Sequence, residues 1–78
     1  MTIKVLGSGC PNCQRLEANV RLVLEARGIA AEVQKVTDVA GILAYGVSST
    51  PALVIDEEVV LAGRVPSPRQ LEGLLVGR

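Results

Sequence analysis

The first half of the chain contains a short apolar run followed by apolar positions at helical spacing. Residues 2–6 are apolar and rich in β-branched side chains, which predicts a strand. From Cys13 onward the apolar residues recur every three to four positions, which predicts an amphipathic helix. Arg27 and Gly28 supply the cation and the left-handed residue typical of a helix end. Pro11 suits the start of this helix, because its missing N–H is not needed there.

The middle of the chain predicts a second strand and a short helix. Residues 31–36 alternate imperfectly between apolar and polar side chains, as in a strand. Thr37 or Asp38 can cap the helix that follows, and Gly46 can end it. The apolar side of this helix consists of Val39, Ile42 and Leu43.

The last third of the chain predicts a hairpin and a final helix. The apolar runs at residues 52–55 and 59–62 are separated by three acidic residues, which we expect to form a solvated turn. This turn lacks the Asn-Gly or Asp-Gly pair of the tightest hairpins. Ser67, Pro68 and Gln70 form a helix start of the capping-box type. The buried stripe of that helix is Leu71, Leu74 and Leu75.

The predicted order is therefore βαβαββα, which indicates an α/β fold with four strands and three helices. The first two strands are joined through a helix, so we expect them to be parallel with a right-handed crossover. The last two strands form an antiparallel pair. Residues 1–78 contain no internal repeat and no linker, which predicts a single domain.

Composition and charge argue against several classes of function. The chain is 49% hydrophobic and has one aromatic residue, Tyr45, so its core must consist of Val, Leu, Ile and Ala. Eight basic and eight acidic residues cancel, which argues against binding to nucleic acid or to an anionic membrane. No apolar run approaches the ~18 residues of a membrane span, and the start has no secretory pattern. We therefore expect a cytoplasmic protein that works as a monomer.

The candidate catalytic residues are Cys10 and Cys13, which are separated by Pro11 and Asn12. We expect Cys10 at or next to the N-cap of the first helix, where free backbone N–H groups and the helix dipole favour a thiolate. The pKa of Cys10 is then expected below the ~8.5 of a free cysteine, which makes it a nucleophile. Cys13 lies on the buried stripe one turn later, so we expect it to be the resolving cysteine in thiol–disulfide exchange.

Three other interpretations of the cysteine pair remain open. A structural disulfide is disfavoured because so short a loop removes little entropy from the unfolded chain. A soft-metal site or redox sensor is possible, although the chain has no histidine and no third cysteine to complete a tetrahedral set. Two inert core cysteines fit poorly with Gly7, Gly9 and Pro11, which hold this segment in a loop.

Three motifs in the same order give the chain a family resemblance. They are residues 7–13 (GSGCPNC), residues 45–55 (YGVSSTPALVI) and residues 63–67 (GRVPS). Together they resemble the small thioredoxin-like "redox-active disulfide" proteins of bacteria and archaea, and the likeness spans nearly the whole chain. The resemblance implies a thioredoxin-like fold of glutaredoxin size, with a four-stranded mixed sheet flanked by helices. It also implies the activity of a thiol–disulfide oxidoreductase. In this role the chain would act as a protein-disulfide reductase.

The resemblance also implies which residues contact the substrate and which groups take part. It implies a cis peptide bond between Thr50 and Pro51, whereas the residues alone also allow a trans bond that opens the strand. Thr50, Pro51, Pro11 and Asn12 are then the substrate-binding residues. No cofactor is implied beyond a redox-active Cys10–Cys13 disulfide, and the partners are protein disulfides and an upstream reductase.

The chain also lacks two sequence features of the thioredoxins and glutaredoxins that it resembles. The buried carboxylate that is thought to assist the resolving cysteine of thioredoxin has no counterpart in residues 2–6, whose only charge is Lys4. We expect Lys4 to be solvated, and the sequence identifies no proton acceptor for Cys13. The glycine pair and acidic residue with which glutaredoxins bind glutathione are not clear after Gly63, which argues against glutathione dependence.

Overall fold

The structure is a computed structural model that describes residues 1–9 and 11–76. It confirms the predicted order of elements. The strands are β1 (Thr2–Leu6), β2 (Glu32–Val36), β3 (Ala52–Ile55) and β4 (Glu58–Ala62). The helices are α1 (Pro11–Arg27), α2 (Val39–Ala44) and α3 (Pro68–Val76). None of these helices, within the described residues, is long and apolar enough to cross a lipid bilayer.

The four strands form one mixed sheet in the order β2-β1-β3-β4. Strand β1 pairs with β2 in parallel, as expected for two strands joined through a helix. It pairs with β3 in the antiparallel direction, and β3 pairs with β4 as the predicted hairpin. Strands β1 and β3 therefore occupy the centre of the sheet, so the loop after β1 and the loop before β3 lie side by side.

The sheet separates two apolar clusters because successive side chains of a strand point to opposite faces. The larger cluster joins Ile3 and Val5 of β1 to the buried stripes of α1 and α3. The smaller cluster lies on the other face and joins Leu6 of β1 to Ile42 of α2. All four residues of β3 are buried, since this strand is covered on both faces.

The element bounds differ from the sequence predictions by one residue in two strands. Strand β2 begins at Glu32 rather than at residue 31, and β4 begins at Glu58 rather than at residue 59. The cap of α2 is Asp38 and not Thr37, since a carboxylate oxygen of Asp38 accepts a hydrogen bond of 2.7 Å from the N–H of Gly41. These are differences at the ends of elements, where the hydrophobic pattern carries least information.

The β3–β4 turn and Lys4 differ more from expectation. Asp56 and Glu57 both adopt positive φ angles, 49° and 68°, so this is a tight turn built without glycine. Lys4 is not simply solvated, because its Nζ donates to the hydroxyl of Tyr45 at 2.7 Å and to Oε1 of Glu57 at 2.6 Å. These bonds, to Glu57 first and Tyr45 second, raise the pKa of Lys4. They tie the turn to the central strand.

Candidate active site

The cysteine motif lies where the central strand β1 passes into α1. The N–H of Gly7 donates to the carbonyl of Val36 at 2.9 Å and so extends the pairing of β1 with β2 by one residue. Gly9 has a φ of 86°, a conformation that favours glycine, and it turns the chain toward the helix. Helix α1 then begins at Pro11, as predicted, with Pro11 and Asn12 both exposed. Cys10 lies outside the described residues, so its helix-cap position and lowered pKa stay predictions.

Cys13 lies on the buried side of α1. Its exposed fraction is 5%, and it belongs to the same helical stripe as Leu16 and Val20, which are fully buried. Helical spacing predicted this placement. A sulfur in this position is sheltered from bulk solvent and from large reagents, which suits a resolving cysteine better than an attacking one.

The loop before β3 lies directly beside Cys13. The Thr50–Pro51 peptide bond is cis, which confirms the expectation drawn from the family resemblance. Thr50 is exposed and Pro51 is buried. The carbonyl of Pro51 accepts a hydrogen bond of 2.8 Å from the N–H of Gly63, so the end of β4 supports this loop. The structure therefore brings the motif on α1 and the second motif of the sequence to one place.

Gly7 is the close contact between these two parts of the site. A β-carbon placed on Gly7 would overlap the sulfur of Cys13 and lie 3.2 Å from its Cβ. The same atom would lie 3.8 Å from the Cβ of Thr50. Only a residue without a side chain fits there. The sequence indicates only a loop at Gly7. Its position directly after the strand and before the cysteine pair could have indicated a close contact with the site.

We expect Gly7→Ala to lower both stability and activity. The added methyl group forces Cys13 or the backbone to move, and such overpacking costs about 1–3 kcal/mol. In a domain of this size that loss lowers Tm by roughly 4–8 °C per kcal/mol. Thermal unfolding followed by circular dichroism measures the effect. Gly73→Ala is the control, because a β-carbon on Gly73 meets nothing within 4 Å. Equal Tm values for the two variants would contradict the assigned contact.

A small cavity of about 20 Å³ lies on the α1 side of the site. Cys13 and Glu17 line it from the helix, and Lys35 and Thr37 line it from β2 and the residues that follow. The sequence alone does not single out Glu17. Its spacing from Cys13 could have identified it, since residues four apart on a helix lie on the same face.

Glu17 is held between two cations. Its Oε1 lies 3.0 Å from Nζ of Lys35, and its Oε2 lies 3.0 Å from Nη2 of Arg21. Its side chain is only 15% exposed, whereas both cations are more than half exposed. Burial raises the pKa of Glu17, but the hydrogen bonds from Lys35 and Arg21 outweigh that effect and bring the pKa below its ordinary value. Glu17 is therefore a carboxylate at neutral pH.

A wider groove of about 220 Å³ lies on the other side of the motif. Its walls include Ser8 from the motif loop, Thr50 from the cis-proline loop and the apolar residues of α2. Val39 and Leu43 are 68% and 59% exposed, and no charged side chain lines the groove among the described residues. The surface next to the cysteine motif is thus apolar and edged with hydroxyl groups.

Within residues 1–9 and 11–76, no three His, Cys, Asp or Glu side chains lie together as metal ligands. The described part of the site therefore consists of a buried cysteine on a helix, an exposed threonine before a cis-proline and a carboxylate beside a water-sized cavity. This arrangement is typical of thiol chemistry near a bound peptide segment.

Comparison with known proteins identifies the family of this chain. A family model of the thioredoxin domain matches residues 1–76. A thioredoxin of Methanothermobacter thermautotrophicus is 39% identical over 75 residues, which cover 96% of this chain and 97% of the relative. A thioredoxin of Methanocaldococcus jannaschii is 38% identical over 72 residues, covering 92% of this chain and 83% of the relative. The chain belongs to the thioredoxin family. This membership supports thiol–disulfide oxidoreductase activity in general terms.

Proposed function

We propose that this protein reduces disulfide bonds of other proteins in the cytoplasm, with Cys10 as the nucleophile and Cys13 as the resolving cysteine. The observation that supports the proposal most is the position of Cys13, buried in the first turn of α1 and beside the cis-proline loop. The protein works as a monomer and needs no cofactor other than its own Cys10–Cys13 disulfide. An upstream reductase returns electrons to it.

The reaction has two exchange steps. The thiolate of Cys10 attacks one sulfur of a substrate disulfide, forms a mixed disulfide and releases the other substrate sulfur, which takes up a proton. Cys13 then loses its proton and attacks the sulfur of Cys10. The Cys10–substrate bond breaks, and its electron pair leaves on the substrate sulfur. The substrate gains two electrons, and the protein is left with a Cys10–Cys13 disulfide.

The substrate is held as an extended segment along the cis-proline loop. Thr50 is exposed at the end of this loop, and in the proposed complex its backbone pairs with such a segment. Pro51 fixes the loop, and Pro11 and Asn12, which are exposed in the first turn of α1, contact the substrate beside the cysteine pair.

The test is alkylation of the fully reduced protein with iodoacetamide across pH, with the modified cysteine located by mass spectrometry. We expect selective labelling at Cys10, with a midpoint below the ~8.5 of an ordinary thiol. Slow labelling of both cysteines near that pH would contradict the proposal. A tightly bound soft metal that blocks labelling of both would instead favour a metal-binding or redox-sensing module.

A further inference from the structure

The second exchange step needs an acceptor for the proton of Cys13. Attack on the mixed disulfide requires a thiolate, and burial favours the neutral thiol over the thiolate. Cys13 is 5% exposed, and a substrate covering the motif shields it further. Bulk water is therefore a poor acceptor at the moment when the proton must leave.

Among the described residues, Glu17 is the one acidic residue that lines the cavity beside Cys13. Cys13 and Glu17 are four residues apart on α1 and line this cavity together. Its volume is about 20 Å³. A single water requires roughly 10–15 Å³ and a few polar partners. Cys13, Glu17 and Thr37, which line the cavity, each have a side-chain atom that could be such a partner.

We propose that Glu17 accepts the proton of Cys13, through one water in this cavity, as Cys13 attacks the mixed disulfide. This inference rests on the proposed function, because it assigns a role within the second exchange step. The proton moves from the sulfur of Cys13 to the water, and a proton of that water moves to Glu17. The electron pair left on Cys13 forms the bond to Cys10. Glu17 then returns the proton through solvent to the departing substrate sulfur.

The charged neighbours of Glu17 keep its carboxylate ionised and therefore able to accept a proton. Lys35 and Arg21 pair with Glu17 and hold it in its ionised form, so the carboxylate does not take up a proton before the reaction. Strand β1 adds Val5 to the cavity wall, and Gly7 directly after it adds another part. Neither is charged, and Lys4 of β1 is bonded to Tyr45 on the opposite face of the sheet. In the described part of the chain, Glu17 and Lys35 are thus the charged residues that line the cavity with Cys13, and Arg21 pairs with Glu17 from the next turn of α1.

The two exchange steps can be measured separately with 5,5′-dithiobis(2-nitrobenzoate). One equivalent of this disulfide is mixed with the reduced protein in a stopped-flow instrument. Attack by Cys10 releases the first coloured thiolate, and attack by Cys13 releases the second. A missing first phase would contradict the proposed function, whereas the inference concerns the second phase alone.

We expect Glu17→Gln to leave the first phase unchanged and to slow the second phase roughly tenfold to a hundredfold, at the lower end of what general base catalysis contributes. The matched control is Glu25→Gln, which removes the same charge from an exposed position of the same helix. It is expected to change neither phase. A second phase that is unchanged or faster in Glu17→Gln would overturn the inference.

The pKa of Cys13 separates proton transfer from a purely electrostatic effect. Removing a nearby negative charge stabilises a thiolate, so in the Cys10→Ser background Glu17→Gln is expected to lower the pKa of Cys13 or leave it unchanged. An electrostatic role would then make the second phase faster. A lower pKa combined with a slower second phase is expected only if Glu17 accepts the proton.

The pH dependence of the unmodified protein tests the inference without any variant. Because Glu17 stays ionised, the second phase is expected to remain nearly level between pH 8 and pH 6. Without an internal acceptor, its rate would follow the thiolate fraction of Cys13 and fall about tenfold per pH unit below the thiol pKa. That steep fall in the unmodified protein would contradict the inference.

Discussion

Cys10→Ser is expected to abolish the reduction of insulin disulfides by dithiothreitol in the presence of this protein. A serine hydroxyl does not ionise at neutral pH and is a far weaker nucleophile than a thiolate, so the first exchange step cannot begin. Cys13 cannot replace Cys10, because its sulfur is buried on the inner side of α1. The rate should fall to that of dithiothreitol alone.

Cys13→Ser is expected to have a different effect from Cys10→Ser. The first step still occurs, but no second thiol is present to release the substrate, so a mixed disulfide accumulates and can be observed by non-reducing electrophoresis. Ala18→Ser, which introduces the same side chain at an exposed position of α1, controls for the effect of serine on the helix. Accumulation of mixed disulfide in Cys10→Ser rather than in Cys13→Ser would reverse the assignment of the two roles.

The order of elements could be predicted because each hydrophobic segment of this chain has a clear period. The stripe from Leu16 to Leu24 has helical spacing, and the continuous run at residues 52–55 matches a strand that is covered on both faces. These local signals agree with one another, which is expected where each segment satisfies the same global fold. The cysteine motif was recognisable for a similar reason, since its residues are adjacent in sequence.

The contacts around the motif could not be predicted, because they join residues that are distant in sequence. Lys35 reaches Glu17 only when β2 lies beside β1 and beneath α1, and no spacing rule relates these two positions. The bonds from Lys4 to Tyr45 and Glu57 likewise span more than forty residues. A sequence pattern predicts which face of an element is buried, whereas a charged pair across two elements depends on the register of the sheet.

Helix α1 joins the cysteine motif to the core, and a second large effect is expected from Leu16→Ala. Leu16 is fully buried about one turn after Cys13, in the cluster that joins the sheet to α1 and α3. Truncating a buried leucine costs about 2–5 kcal/mol, because apolar contacts are lost and a cavity remains. A chain of this length has a total stability of roughly 4–12 kcal/mol. The substitution therefore removes a large part of it.

Thermal unfolding followed by circular dichroism should show a Tm lower by at least about 8 °C in Leu16→Ala, given roughly 4–8 °C per kcal/mol for a domain of this size. The matched control is Leu22→Ala, the same truncation on the same helix at a side chain that is 57% exposed. Surface changes of this kind stay within about 0.5 kcal/mol. An equal loss of stability in the two variants would mean that α1 does not bury the face that carries Leu16 and Cys13. Cys13 would then not lie against the sheet, and the proposed geometry of the site would be wrong.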